Sequence, residues 1–71
     1  MELITTNIHE AQRVLNSCNN AIAIGCFTSY TQGLKNILQT VLFHNHGQER
    51  IVIEVTLSEK EEWQSRGGNK D

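Results

Sequence analysis

Between Val14 and Gln48 the chain carries a single formal charge, Lys35. The stretch is 35 residues of 71, in a chain that is 20% charged overall. Even spacing would put about seven charges there. Of the other charged residues, ten lie from Glu49 onward and three before Val14. The stretch is rich in Asn, Gln, Ser and Thr as well as apolar residues. Such a segment has to be divided between interior, solvated polar surface and surface that meets another molecule.

Seventy-one residues make one domain with a marginal core. Hydrophobic content is 38%, which is modest, and small domains usually rely on a staple or an oligomer. A partner subunit is therefore expected on energetic grounds. Net charge is −2 with a pI near 5.8, and no basic stripe is present that could neutralise many phosphates. Double-stranded nucleic acid is accordingly excluded as an expected partner. Single-stranded binding ranks last, because the four aromatics, Phe27, Tyr30, Phe43 and Trp63, have no cations clustered beside them. No apolar run approaches a membrane span, and no membrane partner is expected. Met1-Glu2-Leu3-Ile4 lacks the basic-then-apolar layout of a signal peptide, so a cytoplasmic location is expected. Cys18 and Cys26 form no C-x-x-C pair and read as free thiols, with Cys26 expected to be buried.

Along the chain, Met1 to Thr5 reads as a short strand. Asn7 reads as a helix N-cap with Glu10 three residues on. Ile8, Ala11, Val14, Leu15 and Cys18 then follow at helical spacing, and Asn19-Asn20 is expected to stop that helix. Ala21 to Phe27 has no polar residue and reads as a strand covered on both faces. Ser29 and Gln32 spell a capping box. From there Tyr30, Leu34, Ile37, Leu38, Val41 and Leu42 recur at the helical period, predicting a helix over residues 29–44. Gly33 in its first turn costs about 1 kcal/mol against Ala and suggests a close backbone approach or tolerance near a helix end. After a turn around Gly47, Ile51 to Leu57 alternates as a strand with one less buried face. Ser58 and Glu61 cap a last short helix, with Trp63 laid back on the sheet edge and Gly67-Gly68 ending it.

The expected fold class is α/β, or α+β if the first strand pairs antiparallel at an edge. It is a single small two-layer domain in β-α-β-α-β-α order. About three strands are expected, with 21–27 in the centre. A compact domain over residues 1–66 and a disordered tail at 67–71 complete the organisation.

Chemistry-bearing constellations are sparse. The segment Cys26 to Gly33 opens a helix after the expected central strand, so Thr28, Ser29 and Thr31 form an alternative anion site. It lacks a phosphate-loop pattern, and the sixth residue after Cys26 is Gln32 where a thiol phosphatase needs Arg. Hydroxyls at such positions more often cap helices. His44-x-His46 with Cys18 or Cys26 matches no zinc knuckle. Glu59-Lys60-Glu61-Glu62 reads as a solvated helix start rather than an acid/base pair. No metal, cofactor or catalytic residue is expected.

What the charge gap leaves over is the outward face of helix 29–44: Gln32, Lys35, Asn36, Gln39 and Thr40. Interface centres are depleted in charge. The expected function is therefore a small non-catalytic protein-interaction module (a regulator, inhibitor or assembly subunit), expected to be a homodimer. Its contacts run through that face. The 51–57 strand offers a second pairing edge. The alternative is a ligand- or anion-binding domain or thiol enzyme built on Cys26 and residues 28–33.

Overall fold

The structure, a computed structural model, describes residues 1–45 and 47–69. Its elements are β1 (Glu2–Asn7), α1 (Ile8–Ala23), α2 (Ser29–His44), β2 (Arg50–Val55) and α3 (Leu57–Ser65). The two strands pair antiparallel, from Glu2 opposite Val55 to Asn7 opposite Arg50. Ile4 and Thr6 of β1 and Ile51, Ile53 and Val55 of β2 are buried, while Leu3, Thr5, Val52 and Glu54 are exposed. One sheet face thus carries the helices and the other faces out, as strand alternation requires. The result is a two-layer α+β domain.

Two expectations about the sheet are corrected. Residues 21–27 form no strand, and the order among the described residues is β-α-α-β-α with two strands instead of three. The reason lies in the end of α1. Its apolar stripe of Ala11, Val14, Leu15 and Cys18 continues at helical spacing to Ala21, all five buried. Asn19 and Asn20 sit on the exposed side of the same helix and do not interrupt it. The stop comes later, at Gly25, whose φ of 77° is the left-handed conformation a helix end needs. Cys26 N–H donates to Ala21 O at 2.8 Å and Gly25 N–H to Ile22 O at 3.1 Å. That pair of bonds is the Schellman closure. With two helices between the strands, the chain returns in the opposite sense and the sheet is antiparallel, where a single-helix crossover would make it parallel.

The helix starts show a second kind of correction. Asn7 caps α1 as expected, its side chain accepting from Glu10 N–H at 2.8 Å. At α2 the cap is Thr28 instead of Ser29, in a reciprocal box with Thr31. At α3 it is Thr56 instead of Ser58, boxed with Glu59, so β2 ends at Val55 and not at Leu57. At α3 two box patterns overlap, Thr56 with Glu59 and Ser58 with Glu61, and the chain uses the earlier. The choice at α3 places the Glu59 carboxylate over Gly33, where a Cβ would lie 2.5 Å from its Oε2. The glycine therefore marks a close side-chain approach between α2 and α3.

The core runs from Ile4, Ile53 and Val55 of the sheet through Val14 and Cys18 of α1 to Leu34 and Leu38 of α2. Trp63, fully buried, closes it from α3. It belongs to the core cluster. Trp63 Nε1 donates to Asn69 Oδ1 at 3.0 Å, and Asn69 Nδ2 donates to Thr5 O at 2.8 Å. The segment Gly67 to Asn69 is thereby seated on α3 and β1, and residues 70 and 71 of the expected tail lie outside the described residues.

The cysteines are both free, but Cys18 is the buried one and Cys26 is exposed, the reverse of the expectation for Cys26. Cys26 lies just beyond the Gly25 turn, outside any packed element. Burial pushes the Cys18 thiol up from its ordinary value, with Glu62 adding to that and Arg66 opposing it. A disulfide-reagent titration of native protein should therefore count one reactive thiol, Cys26, and a titration in urea two. Two fast thiols in the native state would contradict this packing.

Candidate protein-contact surface

Helix α2 buries Thr31, Leu34 and Leu38 and half-buries Val41 and Leu42. The opposite side follows from the helical period of 3.6 residues. It carries Gln32, Asn36, Gln39, Thr40 and, one turn further, Phe43. Asn36, Gln39, Thr40 and Phe43 are exposed, and Gln32 and Lys35 are half-buried. Thr40 Oγ1 donates to Asn36 O at 3.0 Å, a local bond that leaves the amide side chains outward. The structure thus brings the five expected contact residues onto one side of one helix.

Phe43 belongs to this row and is absent from the sequence-derived set. It is 75% exposed, and its ring meets His44 edge-on at 5.3 Å. Its position, eleven residues after Gln32, was the available signal (three helical turns on the same side). A second uncharged row was also missed. Gln12, Asn16, Asn19 and Asn20 are exposed on α1, and Gln12 Nε2 donates to Asn16 Oδ1 at 3.0 Å. The charge gap opens inside α1, so this row was legible too.

The aromatics are distributed unequally. Trp63 is in the core, while Phe27, Tyr30 and Phe43 are 46%, 50% and 75% exposed. All three lie in the charge-poor segment, as does Ile24, which is 77% exposed. Aromatics are mostly buried in small soluble domains. The ion pairs among the described residues are Arg13–Glu10, Lys60–Glu2 and Arg66–Glu62, all outside that segment.

Thr28 Oγ1 accepts from Thr31 N–H at 3.3 Å, and Thr28 N–H donates to Thr31 Oγ1 at 3.2 Å. Thr31 is fully buried and donates to Glu62 Oε2 at 2.9 Å, the same oxygen that accepts from Arg66 Nε at 2.7 Å. The positive end of α2 therefore already faces a carboxylate of the chain itself, which suits the helix dipole. Ser29 is exposed beside it. His44 is exposed, and His46 lies outside the described residues. No group of three possible metal ligands occurs among the described residues. A cleft of about 590 Å³ at the start of α1 is lined by Asn7, His9, Glu10, Arg13, Glu49 and Arg50. Its two arginines are matched in number by two glutamates. No described helix is long and apolar enough to cross a membrane.

Comparisons of the chain with protein-family models, with curated proteins and with solved structures found no match.

Proposed function

We propose that the chain is a small non-catalytic protein-interaction module. It acts as a regulator, inhibitor or assembly subunit, and it works as a homodimer. The partner-contact surface is the outward side of α2: Gln32, Lys35, Asn36, Gln39 and Thr40, extended by Phe43. One observation carries the reading. Three of the four aromatic side chains are exposed, by 46% to 75%, within the one segment that carries almost no charge, and Phe43 among them lies on the α2 row. Interface centres combine aromatic enrichment with depletion of Lys, Glu and Asp. Two free cysteines, one at the surface, fit a reducing compartment, and the reading places the chain in the cytoplasm.

The test compares affinity purifications from the native host using wild type, Asn36→Glu/Gln39→Lys and Phe43→Ala. All three should melt at similar temperatures, because these side chains lie off the core. One specific protein should be recovered with wild type and lost with both variants. Truncating an exposed aromatic anchor typically costs about 2 kcal/mol or more, roughly a 30-fold loss of affinity. If wild type and both variants recover the same proteins in the same amounts, the α2 surface is not a contact site and the reading falls.

A further inference from the structure

Ladder parity shows which edge of the two-stranded sheet is open. Ile8 N–H donates to Glu49 O at 3.1 Å, one step beyond the Asn7–Arg50 pair. Antiparallel ladders alternate hydrogen-bonded and non-bonded pairs. Even-numbered residues of β1 therefore turn their backbone groups toward β2. The odd-numbered ones turn theirs away. The Thr5 carbonyl, accepting from the Asn69 side chain at 2.8 Å, points outward as this parity requires. By the same register, Arg50, Val52 and Glu54 of β2 direct their N–H and C=O groups away from β1.

The two edges differ in what covers them. On β1 the tail residue Asn69 occupies the outward carbonyl of Thr5. On β2 all three outward residues are exposed, and Val52 is 58% exposed. Among the described residues neither Arg50 nor Glu54 joins an ion pair.

We propose that the β2 edge pairs with the β2 edge of a second copy, antiparallel, about a two-fold axis through Val52. The proposal rests on the homodimeric reading above and supplies its interface. Arg50-Ile51-Val52-Ile53-Glu54 is self-complementary about its centre. The axis sets Arg50 opposite Glu54 of the partner subunit, and Glu54 opposite Arg50 of the partner subunit. Val52 faces its own counterpart, a β-branched pair that suits a cross-strand position. A two-fold through Ile51 or Ile53 pairs Val52 with a charged residue instead. One through Arg50 or Glu54 opposes like charges. The Val52 axis alone pairs every outward backbone group of Arg50, Val52 and Glu54. It turns two strands, marginal by themselves, into a four-stranded sheet and removes the open edge. The interface is isologous, as two-fold dimers require.

Sedimentation velocity over a concentration series tests the assignment on wild type, Arg50→Glu, Glu54→Arg and the double exchange. Circular dichroism confirms that each is folded. Wild type should be a dimer. Each single variant opposes like charges at both ends of the strand pair and should weaken dimerisation about tenfold or more. The double exchange restores both opposite-charge pairs and should return to within about threefold of wild type. A monomeric wild type, undisturbed single variants, or a double variant no better than the singles would overturn the proposal. Should a charge variant fail to fold, Val52→Cys in a Cys26→Ser background serves instead. A bonded antiparallel pair holds its Cα atoms about 5.5 Å apart, within disulfide reach. Mild oxidation should cross-link Val52→Cys and leave the control Leu3→Cys uncross-linked; the reverse result overturns the axis. Asn36→Glu/Gln39→Lys should keep the dimer while losing the partner. Were it to lose the dimer while Arg50→Glu kept it, self-association would belong to α2. The interaction-module reading would then stand and this interface would fall.

Discussion

Trp63→Ala should remove a large part of the stability of this protein. Helix α3 buries one residue, Trp63, and its remaining large apolar side chain, Leu57, is 62% exposed. The indole is therefore what holds α3 against the sheet and α2. Truncating a buried aromatic to Ala costs about 3–5 kcal/mol. A chain of this length has roughly 4–11 kcal/mol in total at 0.05–0.15 kcal/mol per residue. Loss of α3 would also release Glu62, which accepts from Thr31 at the start of α2, and Lys60, whose Nζ lies 3.7 Å from Glu2. Thermal melts followed by circular dichroism should fall by about 15 °C or more, since each kcal/mol is worth about 4–8 °C at this size. Trp63→Phe, which keeps a buried aromatic ring but gives up part of the indole and its N–H bond to Asn69, should fall less. A drop of under about 5 °C for Trp63→Ala would mean that α3 is held by something other than its indole.

Gly68→Ala should be nearly as informative, although it changes a residue past the last helix. A Cβ at Gly68 would collide with Cε2, Nε1 and Cδ1 of Trp63. Those ring atoms belong to a rigid, fully buried side chain and cannot yield as a flexible terminus would. Gly68 N–H also donates to Trp63 O at 2.9 Å, so the segment is held close by its backbone. The substitution forces a choice between displacing the ring and lifting the tail. Overpacking of this kind costs about 1–3 kcal/mol. Lifting the tail also breaks the Asn69 bonds to Trp63 and Thr5. The expected result is a lower urea midpoint. Red-shifted emission from the single tryptophan should accompany it. Gly67→Ala meets no atoms but sits at a φ of 95°, so its cost is backbone strain without the spectral shift. Equal emission spectra for wild type and Gly68→Ala would show that the tail does not lie against the ring.

Helix α2 and strand β2 were legible because their periods are clean. Leu34, Leu38 and Val41 repeat at the helical spacing, and Ile51, Ile53 and Val55 alternate with polar or exposed positions. Asn7 was legible as a cap because the polar residue stands directly before an apolar helical stripe. The polar row on α2 was legible as the complement of its core stripe, and Phe43 lies on the same side one turn past Thr40. Residues 21–27 were not legible. A run with no polar residue has no period to read, so it suits a covered strand and a buried helix end equally well. The Gly25 within it looked like a strand glycine, and its role as a helix terminator depends on a φ that the sequence does not display. The same holds for the caps: at α3 Thr56 and Ser58 each satisfy the local rule, and at α2 the Thr28–Thr31 box closes with a threonine where the pattern has Glu or Gln.

The sequence by itself determined which segments carry their own periodic signal, where charge is missing, and that the core would be small. Those properties are local, set by the order of side chains along a few turns or a few strand residues. Tertiary structure decided the rest. It continued α1 to Ala23, because that helix packs against α2 and Ala21 near its end is still buried. It made the sheet antiparallel by placing two helices between the strands. It laid Asn69 against β1 while the outward groups of β2 stayed exposed, because the Trp63 indole draws the tail back over one side of the molecule only.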